Sequence, residues 1–186
     1  MILLQDTRQK LGRHDAKNRA WLDKGVSVWS AQLPVGDYML ADETALLLRG
    51  EGAVDIHAMF GWASFNPRCS VDTKASIYEI AGNLISEHER FRAECERAQE
   101  MGVQLIVLVE NDAGVQCFAD LERWIEPMGH FKTRGGKQLY SGAQLVKMMR
   151  TMHERYGVVW SFCPPDRAAA CVLQLLESWE CGGYVA

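Results

Sequence analysis

Val71-Asp72-Thr73-Lys74, the segment Ser76 to Met101, and Val103-Gln104-Leu105-Ile106-Val107-Leu108-Val109-Glu110 together decide the architecture. The first is a short β-like run with a charge at every second position. In the second, Ile77, Ile80, Ala81, Leu84, Ile85, His88, Phe91, Cys95 and Ala98 follow the spacing of one buried helical stripe. Glu79, Arg90, Glu94 and Arg97 lie off that stripe, and Gly102 supplies a C-terminal stop. The third is apolar almost throughout, as a strand covered on both faces must be. A helix joining two strands of one sheet implies a right-handed crossover.

Working outward, Met1 to Gln5 reads as a buried strand and Asp15 to Lys24 as a short helix ended by Gly25. Val26 to Leu33 alternates as a second strand, closed by Pro34 and a turn at Gly36. Asp37 to Leu40 and Thr44 to Arg49 are expected strands, paired as a hairpin around Asp42-Glu43. Gly50 to Arg68 has glycines and aromatics without periodicity and is expected to be a long excursion. On the other side, Asp120 to Ile125 predicts a short helix and Phe131 to Gly142 a basic loop. Ser141 is placed to cap a helix carrying Leu145, Met148, Met149, Met152 and Tyr156. A strand at Val158–Cys163 and a helix opened by Pro165 and running to about Trp179 complete the chain. Strands and helices intermixed around an apolar centre mean an α/β fold. The expectation is one domain over 1–186: a core of about 1–110 with an insertion near 50–68, and an extension of about 118–182.

The 186 residues, 48% hydrophobic and 24% charged, have the balance of an ordinary globular domain. No stretch is long and apolar enough to span a bilayer, and the start lacks the basic region of a signal peptide. Six dispersed cysteines without a C-x-x-C pair read as reduced thiols, and so as a cytoplasmic protein, in a bacterium or a phage-infected host. The net charge of −4 argues against an indiscriminate polyanion binder. Yet Asp6–Arg19 carries a local +3 and His130–Arg150 a local +5. Such patches on a mildly acidic body suit nucleic acid at one face.

Asp-x-Lys on a strand puts both side chains on one face. A second carboxylate, Asp37 in Gly36-Asp37-Tyr38, is expected beside them from a neighbouring strand. Phosphodiesters resist hydrolysis because their anionic oxygens repel a nucleophile and the alkoxide is a poor leaving group. A divalent cation answers both difficulties, and Mg²⁺ needs only one or two carboxylates beside its waters and substrate oxygens. Asp37 and Asp72 are the candidate carboxylates, with the Thr73 backbone carbonyl as a further oxygen. Lys74 would orient the attacking water or stabilise charge growing on phosphorus.

Gly36-Asp37 followed by Asp72-Thr73-Lys74 resembles the Gly-Asp…Glu-Arg-Lys signature of the XPF-type nuclease domain, a branch of the PD-(D/E)XK phosphodiesterases. Asp6-Thr7-Arg8 matches the Asp-x-Arg of that family's first strand. Glu87 to Gln99, running into Leu105 to Glu110, is similar to the helix and strand of short stand-alone members found in phages and prophages. Thr73 stands where the signature has arginine, Asp72 where it has glutamate. Tyr78 stands where an acid is expected, with Glu79 beside it.

The resemblance implies a restriction-endonuclease-like mixed central sheet flanked by helices, dependence on Mg²⁺ or Mn²⁺, and DNA as substrate. It implies further cleft positions at Asp6, Arg8, Arg90 and Gln99, and Glu79 as either a substitute ligand or a helix-start acid. Lys132, Arg134 and Lys137 around Gly135-Gly136, with His14, are the candidate DNA-phosphate contacts. The expected activity is therefore metal-dependent DNA cleavage, with branched, flapped or partly single-stranded DNA as substrate. The alternative is a catalytically degenerate nuclease fold that binds DNA or protein. The apolar C-terminal helix (Cys171, Val172, Leu173, Leu175, Leu176, Trp179) is expected to pack on its own sheet; a competing arrangement buries it in a homodimer.

Overall fold

The computed structural model describes residues 2–8, 15–41, 68–125, 127 and 140–180. Their order is β1 (Ile2–Asp6), α1 (Asp15–Leu22), β2 (Ser27–Ala31), β3 (Tyr38–Ala41), β4 (Cys69–Lys74), α2 (Ile77–Ile85), α3 (His88–Glu100), β5 (Gln104–Glu110), α4 (Phe118–Arg123), α5 (Gly142–Tyr156), β6 (Val159–Cys163) and α6 (Ala168–Glu180). The expected strand Thr44–Arg49 and nearly all of the Gly50–Arg68 excursion lie outside the described residues.

The six strands form one mixed sheet in the order β2-β1-β3-β4-β5-β6. β1–β2, β4–β5 and β5–β6 are parallel pairs, and β3 runs antiparallel between β1 and β4. Helices lie in the connections of all three parallel pairs, because a hairpin cannot join strands that point the same way. Side-chain alternation splits the core in two. Leu105, Val107 and Val109 face a cluster with Ile80, Leu84, Phe91 and Met149 of α2, α3 and α5. Ile106 and Leu108 face Trp21 of α1 and Val172 and Leu176 of α6. Val172, Leu173, Leu175 and Leu176 are thus buried on the molecule's own sheet. Among the described residues no helix is long and apolar enough to cross a membrane.

One expected element differs. The single helix over Ser76–Met101 is two helices, α2 and α3, broken at Ser86-Glu87. The Ser86 and Glu87 amides both donate to the Gly82 carbonyl, at 2.8 and 3.0 Å, so the ladder cannot advance. The break lets α3 swing across the end of β4. Periodicity passes through it unchanged because both helices bury the same side.

Candidate active site

β1, β4 and β5 all point the same way, so Asp6, Lys74 and Glu110 reach the same end of the sheet. Asp37 immediately precedes β3, which runs the opposite way and so starts at that end. A cleft of about 550 Å³ opens there, outside the carboxyl ends of the parallel strands, where α/β sheets commonly bind ligands. Its walls carry Asp6, Asp37, Asp72, Glu79, Glu94 and Glu110 against Arg8, Lys17, Lys74, Arg90 and Arg97.

The sheet positions the two central acids differently. The Asp37 amide donates to the Val71 carbonyl at 2.9 Å, and its carbonyl accepts from the Asp6 amide at 2.9 Å. The Thr73 amide and hydroxyl both donate to Asp37 Oδ2, at 2.9 and 2.6 Å. Asp72 shares with Lys74 the face of β4 opposite the Thr73 side chain, and the Lys74 Nζ lies 2.6 Å from Asp72 Oδ2 and 5.9 Å from the Phe91 ring centroid. The Lys74 ammonium is thus the charged partner of Oδ2.

Electrostatics follow from the burial. Asp72 is 4% exposed, and desolvation pushes its carboxyl up to about 8; Lys74 opposes the rise, while Asp37 and Glu94 add to it. Burial pulls the Lys74 ammonium down, but the Asp72, Asp37 and Glu94 carboxylates outweigh it, and the net shift is upward. Lys74 therefore keeps its proton at neutral pH. It is a fixed cation there, not a base.

Of the cleft residues expected from sequence, Asp6, Arg8, Asp37, Asp72, Thr73, Lys74, Glu79 and Arg90 line the cavity. Arg8 Nε grips Asp6 at 2.9 and 3.1 Å, and Asp6 Oδ1 accepts from the Leu33 amide at 3.1 Å. Glu79 accepts from the Ala75 amide at 2.8 Å while Ser76 caps α2, so it does the helix-start work and still borders the cleft. Tyr78 turns away and packs edge-on against Trp124 at 5.9 Å. Gln99 is a correction: its amide donates to the Arg155 carbonyl at 3.1 Å, and it does not line the cleft. At 3.6 residues per turn Gln99 falls on the opposite side of α3 from the cleft-lining Arg90, Glu94 and Arg97. His14, Lys132, Arg134 and Lys137 lie outside the described residues.

Four further charged residues that the sequence motifs do not single out line the cleft. Lys17 and Glu110 form a largely buried ion pair at the ends of α1 and β5. Glu94 and Arg97 share with Arg90 the exposed face of α3 that overhangs the cleft. A charged residue ending the apolar run of β5 was a usable signal for Glu110. For Glu94 the signal was weaker, an acid between two arginines on one helical face.

Among the described residues no three His, Cys, Asp or Glu side chains form a ready-made metal cage. Mg²⁺ does not require one, since it keeps several waters and takes one or two carboxylates. The hard oxygens of Asp37 and Asp72 suit such an ion. Both line the same cleft, and the Asp37 carboxylate adds to the upward shift that burial gives Asp72, as two acids close enough to share a cation would. The residues fit a partly hydrated divalent cation.

No family model and no curated protein matches the chain. Among solved structures it is similar to XPF from Aeropyrum pernix, with a TM-score of 0.58 at 18% identity over 97% of this chain and 65% of that one. It is likewise similar to the same protein in complex with DNA, with a TM-score of 0.56 at 18% identity over 97% of this chain and 66% of that one. The fold is XPF-like. The chain thus spans a little under two thirds of the length of those XPF chains, and at this identity the likeness concerns the fold. The mixed sheet flanked by helices expected from sequence is the XPF-like arrangement.

Proposed function

We propose that this chain is a divalent-cation-dependent deoxyribonuclease that hydrolyses phosphodiester bonds in DNA. The observation that carries the reading is that Asp37, Asp72 and Lys74, from separate points of the sequence, line one cleft at the strand ends. The XPF-like fold, and the DNA bound by one of its similar structures, support it.

In this reading Asp37 and Asp72 hold Mg²⁺ or Mn²⁺. The Thr73 carbonyl, on the same strand edge as the amide that binds Asp37, supplies a further oxygen. When bound, the ion neutralises phosphate charge and makes its water more acidic. Thr73 fixes the Asp37 carboxylate through two hydrogen bonds, so only small reorganisation accompanies binding. Lys74, held protonated, donates to a phosphate oxygen as negative charge accumulates there. Arg8, Arg90 and Arg97 on the cleft rim contact flanking phosphates, which position the strand without reading sequence. The substrate of this reading is branched, flapped or partly single-stranded DNA, and its setting is the cytoplasm.

The test is a cleavage assay on a panel of labelled DNA structures with Mg²⁺ and with Mn²⁺. Cleavage is expected from the wild type, lost in Asp72→Ala and Lys74→Ala while salt-sensitive DNA binding persists. Salt-sensitive DNA binding with no cleavage by the wild type in either metal would overturn the nuclease and favour a catalytically silent binding module. Light scattering on the same preparations reads whether the chain is a monomer or a homodimer.

A further inference from the structure

Asp37 has a tethered neighbour. Gly36, one residue earlier, sits at φ +67°, and a Cβ built there would lie 2.2 Å from Ser70 Oγ. The turn therefore needs glycine twice over, for its backbone angle and for its closeness to β4. The Asp37 backbone is anchored by strands on both sides, through the Val71 carbonyl and the Asp6 amide. The Gly36 amide is anchored differently: it donates to Glu94 Oε1 at 3.0 Å, across 58 residues of sequence.

Glu94 sits in the middle of α3, half-buried between Arg90 and Arg97 on the cleft side, with Phe91, Cys95 and Ala98 fixing the other face of the helix in the core. The bond ties a backbone amide of the turn to a side chain reaching over from another element. Helix α3 thereby holds the turn that aims Asp37. Thr73 fixes the far end of the same side chain. The carboxylate is clamped from β4, and its backbone is clamped from α3.

We infer that Glu94 is a positioning residue for the cation site, acting through the Gly36 amide to set the direction of Asp37. The inference rests on the metal-dependent reading above. What matters in it is the reach and acceptor capacity of the side chain, not its charge. Two variants separate these. Glu94→Asp keeps the charge but is one methylene short of the amide. Glu94→Gln drops the charge and keeps an acceptor oxygen at full length.

Two readouts are taken on the full chain, with Mn²⁺ as the probe: calorimetric Mn²⁺ affinity, and hydrogen exchange of the Gly36 amide in the metal-free protein. E94D is expected to lose Gly36 protection and to bind Mn²⁺ about 10–100-fold more weakly, as removal of an outer support for a metal ligand does. E94Q is expected to keep the protection and to bind within about threefold of wild type, the range over which such a support is intact. The reverse pattern, with E94Q weak and E94D normal, would show that charge is what counts and overturn the inference. So would E94D losing Gly36 protection with unchanged Mn²⁺ affinity, which leaves the metal reading standing. A wild type with a protected Gly36 amide and no Mn²⁺ heat overturns the metal reading itself, and this inference with it.

Discussion

Asp72 makes the metal-free protein sensitive to pH in a direction the structure fixes. Its carboxyl titrates near 3.8 in the unfolded chain and is pushed up to about 8 in the folded one. Between those values the native state holds a proton that the unfolded state has released. Stability from this group is complete below its unfolded value and is lost as pH rises through the folded one. Lys74, shifted upward as well, acts in the same sense at more alkaline pH. One proton of difference gives a slope of at most about 1.4 kcal/mol per pH unit. From about pH 5.5 to about pH 7.5 the loss is therefore on the order of 3 kcal/mol. At about 2–4 °C per kcal/mol for a chain of this size, the melting temperature should fall by roughly 5–10 °C from this group.

The measurement is denaturation in EDTA at both pH values, for wild type and Asp72→Asn. The amide does not titrate, so the difference between the two proteins should move in favour of Asn as pH rises. Any constant offset from repacking beside Lys74 cancels in that comparison. Mn²⁺ should flatten the wild-type slope, because a cation at the carboxylate favours its ionised form, and should add stability by mass action. Equal slopes for wild type and D72N in EDTA would refute the reasoning, whatever their absolute stabilities.

Thr73→Val removes the hydroxyl donor to Asp37 Oδ2 and leaves the amide; calorimetry should show Mn²⁺ affinity down by about tenfold in a folded protein. Gly142→Ala would drive a Cβ to 1.8 Å from the Leu121 carbonyl oxygen, where α4 meets α5. A cost of about 2 kcal/mol or more is expected in urea titration, since backbone yields less readily than a side chain. Trp21→Phe removes the indole donor to the Ala169 carbonyl, at 2.8 Å between α1 and α6, and leaves a gap at a fully buried site. About 1–3 kcal/mol of stability should be lost, again read in urea.

The elements with strong local signals were legible from sequence. Ser141 caps α5 in a full capping box with Gln144, and the apolar run Leu105–Val109 is the central strand. Both depend on residues within a few positions of each other. The break between α2 and α3 was not legible, because a carbonyl shared by two amides leaves no mark on the hydrophobic period. Nor was the direction of β3, which lies beside β4 as expected but runs antiparallel to both β4 and β1. Strand direction is set by long-range packing, and the Gly36–Asp37 turn alone does not reveal it. In the site, Asp72 and Lys74 were readable because alternation puts them side by side. Glu94 was not, because its partner is 58 residues away and the link is a backbone amide.

The depth of β4 bears on why its polar residues are there. All six of its residues are buried, and in the parallel register Asp72, Thr73 and Lys74 lie beside Val107, Leu108 and Val109 of β5. The neighbouring strand thus shows which side chains that depth accepts without cost. Taking an acid and an ammonium out of water there costs several kcal/mol per ion before their attraction is counted. A buried ion pair is for that reason weak evidence of stabilisation. Each of the three polar residues instead has a task that an apolar one lacks. Thr73 clamps Asp37, Lys74 brings a permanent positive charge, and Asp72 puts a second carboxylate into the cleft beside Asp37. Position in the sheet does not demand this polarity. A cation and a phosphate arriving at the strand ends would.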